Sequence, residues 1–177
     1  VEVGVVLASF LFIRRMSEIA NVGVITREVR GDMESPDDPN AIALREVPSG
    51  VEVFEVNGPF FFGMIDAFKG ALKSIEKSVP VLIIRIRNVP TIDATGIHVL
   101  RDLHRQCGKD GTLLVFSGVH SQPLIVFEQS GFLQEVGRDN IFGNIDDALD
   151  RARSHLGLPS IERPGPFVPT VARERDR

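Results

Sequence analysis

The chain lacks most of what would announce a catalytic or nucleic-acid-binding protein. It has one cysteine, Cys107, which excludes an internal disulfide and any multi-cysteine metal site. It has no tryptophan and no tyrosine, the residues on which aromatic cages and base-stacking platforms usually draw. It has no excess of positive charge: the net charge is −4, so no nucleic-acid partner is expected. No stretch reaches the roughly 18 apolar residues that cross a membrane. No H-E-x-x-H pattern occurs, and His98 and His104 fall on different faces of one predicted helix, so no metal is expected. No paired carboxylates and no Ser/His/Asp order support catalysis. The reading is of a non-enzyme without cofactors.

What is present is a single-domain quantity of ordinary globular sequence, 177 residues with 43% hydrophobic and 25% charged, including 12 phenylalanines. Its first segment is unusual. Val3 to Ile13 is apolar on all sides and is followed at once by Arg14 and Arg15. A helix apolar all round is buried in a core or in lipid. Eleven residues rise only about 16 Å, half of a hydrocarbon slab. The arginine pair fits the cytoplasmic end of a membrane span, whereas a signal peptide carries its charge before the apolar run. The other reading is a buried first helix of a soluble protein. The chain opens on Val1 rather than methionine, and residues 1–20 are read as the end of a last transmembrane helix, an apolar stub cut from a longer protein.

Residues 21–48 read as an acidic linker with an extended piece near Val22 to Thr26. Between Glu28 and Val47 six acids face two bases, an excess equal to the net charge of the chain. Ser35 to Asn40 is rich in turn formers. At the other end, residues 157–177 carry four prolines and a mixed-charge run, and read as a disordered tail.

Between them, 49–156 alternates in period. Val51 to Val56 alternates and reads as a half-buried strand. Ile65, Phe68, Ala71, Leu72 and Ile75 predict a helix that Pro80 ends. Val81 to Ile86 is a continuous apolar run, suited to a central strand covered on both faces. Ile97, Leu100, Leu103 and Cys107 mark one face of the next helix, with Gly108 and Gly111 at its stop. Thr112 to Phe116 is a further strand. Helices follow over Leu124 to Glu128, stopping at Gly131, and over Ile145 to Leu156, capped by Asn144 or Asp146. Strands alternating with helices give an α/β domain with a mixed sheet. Gly108 to Thr112 lacks the order of a P-loop and joins helix to strand, so it reads as a helix stop. Cys107 reads as core and His120 as solvated.

One segment carries more chemistry: Asn88-Val89-Pro90-Thr91-Ile92-Asp93-Ala94-Thr95-Gly96. It leaves the most apolar strand and opens a helix, where α/β sheets place binding surfaces. Asp93 can accept from the amide of Thr95 or Gly96 as an N-cap. Gly96 permits close packing. Thr95 puts a hydroxyl at the positive end of the helix dipole, where an anion is favoured. The plain alternative is that Asp93 and Thr95 only cap the helix.

This segment, with Val51 to Gly63, Ser130 to Leu133 and Asn140 to Phe142, resembles the STAS domain. The whole chain is similar to the C-terminal end of a bacterial SulP-family anion permease, with Val3 to Ser17 in place of the last membrane helix. The resemblance implies a STAS fold: a central mixed β-sheet flanked by about four α-helices, with an N-terminal apolar helix stub. It implies a cytoplasmic regulatory domain at the inner membrane, belonging to a carrier of sulfate or a related anion. Its implied partners are the membrane domain of the same transporter, a cytoplasmic regulatory protein or a nucleotide, and a second copy in a homodimer. STAS domains also include free-standing antagonists of anti-sigma factors, in which Asp93, Thr95 and Gly96 match the phosphorylated motif and Thr95 aligns with the phosphoacceptor. Ala94 departs from the Ser or Thr of that motif. The alternative function is therefore a phosphoswitch protein; the Val3 to Ile13 run argues against it.

Overall fold

The computed structural model describes residues 4–8, 11, 21–24, 41–60 and 79–161. The helix expected over Ile65 to Ile75 and most of the expected tail lie outside them. Four strands form one mixed sheet: β1 (Asn21–Val24), β2 (Val51–Asn57), β3 (Val81–Asn88) and β4 (Leu113–Ser117), in the order β1-β2-β3-β4. β1 runs antiparallel to β2, and β2, β3 and β4 run parallel. After β3 the described residues form four α-helices: α1 (Ala94–Asp110), α2 (Ser121–Gln129), α3 (Phe132–Val136) and α4 (Ile145–His155).

Period-2 alternation gives the sheet two apolar faces. Phe54, Val56, Leu82, Ile84, Ile86, Leu114 and Phe116 point to one face and pack against α1, α2 and α3. Phe116, Phe127 and Phe132 meet there edge to face, with ring centroids 5.1–5.8 Å apart. Such pairs add about 0.5–1.5 kcal/mol each beyond burial. Val51, Val53, Val81, Ile83 and Val115 point the other way, onto Ile145, Ala148, Leu149 and Ala152 of α4. β3 is thus covered on both faces, as its composition predicts.

β2 corrects the sequence reading. All of Val51 to Val56 is buried, not half. Of its two buried glutamates, Glu52 and Glu55, the second is held inside the sheet by Arg85, at 3.6 Å, and by Arg87, whose Nε donates to Oε1 at 2.7 Å. Glu55 and Arg85 are register partners on adjacent parallel strands. A carboxylate is tolerated inside only when paired in this way. Arg85, nearly fully buried, was hidden in what reads as a continuous apolar run.

The span read as linker also joins the fold where it is described. Asn21–Val24 extends the sheet. Ala41 and Ile42 are buried, and Ile42 and Val47 pack with α4. Arg45 pairs with Asp146 through Nε at 2.9 Å and Nη2 at 3.1 Å, while Arg153 meets Glu46 at 3.3 Å. Asp146 stands in the first turn of α4 and Arg153 in its last, the arrangement the helix dipole favours.

Candidate functional site: the turn from β3 into α1

The turn begins where β3 ends. Pro90 lacks an amide and closes the strand, and Asp93 stands at the N-cap of α1 with extended backbone. Its carboxylate accepts from the Gly96 amide at 2.7 Å. This is the capping expected, and it selects Gly96 over Thr95. The Ile97 amide reaches the Asp93 carbonyl at 3.1 Å and starts the helical ladder.

Two further elements grip the same few residues. The Phe60 segment lies alongside: its amide donates to the Thr91 carbonyl at 2.9 Å, and its carbonyl accepts from the Asp93 amide at 3.3 Å. Phe60 and Ile92 form an isolated parallel bridge. From the other side, Gln122 of α2 accepts the Ile92 amide on Oε1 at 3.1 Å. Gly96 sits beneath this crossing. A Cβ there would lie 2.7 Å from Cδ1 of Phe60 and 2.8 Å from its carbonyl oxygen. Only glycine lets the first turn of α1 approach so closely.

Two amides remain open. Ala94 and Thr95 are exposed, and no acceptor among the described residues meets their N–H groups. The first amides of a helix are unsatisfied unless something outside supplies an acceptor. The Thr95 side chain shares that exposed first turn, at the positive end of a 17-residue helix. Asp93, Thr95 and Gly96 are therefore brought together in one turn, with Asp93 and Gly96 bonded to each other and Thr95 facing solvent.

The other residues weighed from sequence fall elsewhere. His98 is exposed on α1, and His104 meets Phe132 edge to face at 6.3 Å. Gly111 adopts a left-handed conformation at the end of α1, with its amide on the Cys107 carbonyl, so 108–112 is a helix stop. Cys107 is buried, and burial pushes its thiol up to about 11. His120 is exposed but not idle, for its Nε2 lies 2.8 Å from the Arg87 carbonyl. Among the described residues no group of His, Cys, Asp and Glu could hold a metal ion. Gln122 is the participant that sequence reading passed over. Its only signal was a polar residue directly before the run Pro123 to Phe127.

Residues 43–148 match the STAS domain family. The chain belongs to that family. A sulfate transporter family protein from Wolinella succinogenes is 43% identical; the match covers 69% of this chain and all of that one, with a TM-score of 0.65. The STAS domain of a SulP transporter from Vibrio cholerae is 28% identical over 63% of this chain and 88% of that one, with a TM-score of 0.55. YvdB of Bacillus subtilis, named for sulfate transport, is 28% identical over 83% of this chain. The chain spans about a fifth to a quarter of the length of the curated relatives it matches. The STAS architecture and the kinship with SulP STAS domains agree with the resemblance read from the motif. No helix among the described residues is long and apolar enough to cross a membrane.

Proposed function

We propose that this chain is the regulatory end of a membrane carrier of sulfate or a related anion, lying on the cytoplasmic side of the inner membrane and acting through the Asp93–Gly96 turn. The observation that carries this reading is the 43% identity, over the full length of the matched chain, to a sulfate transporter family protein. The short share of the longer relatives fits a domain appended to something larger. Residues 4–8 and 11 are helical, and Val5, Val6, Leu7 and Leu11 are each more than half exposed. Bare apolar surface is unfavourable in water by roughly 25 cal/mol per Å², which favours lipid or protein around this helix. The membrane domain of the same carrier is its first partner.

At the turn, a phosphoryl group or other anion on Thr95 gains from the open amides and the dipole, and meets the Asp93 carboxylate nearby. Each effect amounts to about 0.3–1 kcal/mol at an exposed site, so charge there alters binding more than folding. The test extends the reading frame upstream and assays sulfate uptake by the whole product, with Thr95→Ala and Thr95→Glu. Uptake changed by either variant, with the melting temperature of the domain held, supports the role. Wild-type uptake in both leaves Asp93 and Thr95 as caps only, and failure of the parent to take up sulfate, bicarbonate or a dicarboxylate removes the carrier reading.

A further inference from the structure

The start of α2 is built in an unexpected way. A helix N-terminus is normally capped by a side chain that accepts its free amides. His120 occupies the N-cap position of α2 and makes no cap bond. Its ring nitrogen instead meets the Arg87 carbonyl of β3 at 2.8 Å, which requires Nε2 to carry the proton. Two residues on, Gln122 accepts the Ile92 amide at 3.1 Å, thirty residues away in sequence. Ile92 is buried, so this amide has no water to turn to. His120 and Gln122 are thus both directed at the backbone that leads into the turn, at its beginning and at the residue before Asp93.

The other supports of the turn behave differently. The Asp93–Gly96 bond is internal to the turn, and the Phe60 bonds join it to a loop backbone. Among the described residues, the Gln122 side chain supplies the hydrogen bond that ties the turn itself to a second helix. α2 is nine residues long, anchored by buried Pro123 and Phe127, and it carries the exposed pair Leu124 and Ile125. A shift in the backbone at Ile92 and Asp93 therefore has a direct route to α2.

We propose that Gln122 is a positioning residue that couples the state of the Thr95 turn to α2, so that charge placed at Thr95 is registered in α2 through the Ile92–Gln122 hydrogen bond. This rests on the reading of the turn as the regulated site, but its test does not need transport.

The experiment is native-state hydrogen exchange on the 177-residue chain, read at Ile92 and at Leu124–Gln129. Thr95→Glu is compared with Thr95 in three backgrounds: wild-type Gln122, Gln122→Met, which removes the acceptor at similar size, and Gln122→Glu, which keeps it. Thr95→Glu is expected to change exchange in α2 by about three- to fivefold in the wild-type and Gln122→Glu backgrounds, the upper part of what a charge effect of about 0.3–1 kcal/mol allows. In the Gln122→Met background the response falls below about twofold, the non-additivity that marks a real coupling. An equal response in all three backgrounds overturns the proposal, as does no response in α2 with Gln122 intact. If Gln122→Met does not fold, the comparison of wild type with Gln122→Glu decides. A response at Ile92 and α2 together in both supports the coupling, and a response at Ile92 without α2 ends it. Wild-type transport in Thr95 variants would bear on the regulatory reading alone.

Discussion

Replacing Gly96 by alanine should destabilise the domain, although alanine is the better helix former. Gly96 lies in the first turn of α1, where exchanging glycine for alanine ordinarily gains about 1 kcal/mol. Here the new methyl would stand 2.7 Å from Cδ1 of Phe60, 2.8 Å from the Phe60 carbonyl oxygen and 3.0 Å from Cγ2 of Ile92. The ring is almost wholly buried, and the carbonyl is held by the Asp93 amide, so neither can yield without loosening the turn. Overpacking of this kind costs about 1–3 kcal/mol, and near the upper end where backbone must move. Subtracting the propensity gain leaves a net loss of about 1–2 kcal/mol. At roughly 4–8 °C per kcal/mol for a small domain, the melting temperature should fall by about 4–16 °C. Gly108 supplies the control. It lies in the same helix, exposed, with nothing within 4 Å of a built Cβ. Gly108→Ala should therefore raise stability by about 0.5–1 kcal/mol. Thermal melts of the two variants beside wild type decide the matter. If Gly96→Ala melts at or above wild type, the close crossing with Phe60 is not a constraint, and the account of the turn's packing is wrong.

Cys107, buried and with its thiol pushed up to about 11 chiefly by burial, should resist iodoacetamide at pH 8 until the protein is unfolded by denaturant. Rapid labelling of the native chain would contradict its place in the core. Glu135 is held below the ordinary carboxylate range by its hydrogen bond to Arg101, at 2.8 Å. Its folded value lies below its unfolded one, so its contribution is present above the ordinary value of about 4.3 and is lost as pH falls through the lowered one. Glu135→Gln should accordingly flatten the acid limb of the stability curve below about pH 4 and leave the curve's shape at neutral pH alone. Phe127→Ala and Phe132→Ala should each cost about 3–5 kcal/mol, measured by urea unfolding, because each removes a fully buried ring from an edge-to-face trio.

Much of this architecture was legible in the sequence because periodicity reports burial directly. The run Val81 to Ile86 suits an interior strand, and the Ile97–Leu100–Leu103–Cys107 spacing marks one helix face. What stayed hidden depends on pairing across distance. Glu55 looked like the solvent side of a half-buried strand because its partners, Arg85 and Arg87, stand about thirty residues on, one of them inside an apolar run. Arg45 and Glu46 looked like linker charges because Asp146 and Arg153 lie about a hundred residues away. At the turn, Asp93 and Gly96 could be read from local capping rules. Gln122 could not, because a glutamine bonding a distant backbone amide leaves no spacing pattern.

Under the proposed reading of the turn, the bonds around it also limit how it can be regulated. Thr91, Ile92, Asp93 and Gly96 each have a backbone group fixed by a partner, from Phe60, Gln122 or the cap itself. Refolding the turn would break several of these together, and the loss at buried Ile92 leaves an unsatisfied amide at a cost of about 1–3 kcal/mol. Charge on Thr95 changes the local energy by less than that. A modification or anion at this site therefore does not melt the turn. It changes the field and shape that the first turn of α1 presents, and it displaces the backbone only as far as its hydrogen bonds allow. A rigid frame with two open amides makes a small charge readable without first having to order anything. Its effect is then on recognition, which is why transport and exchange in α2, rather than melting temperature, are the quantities that should respond to Thr95→Glu.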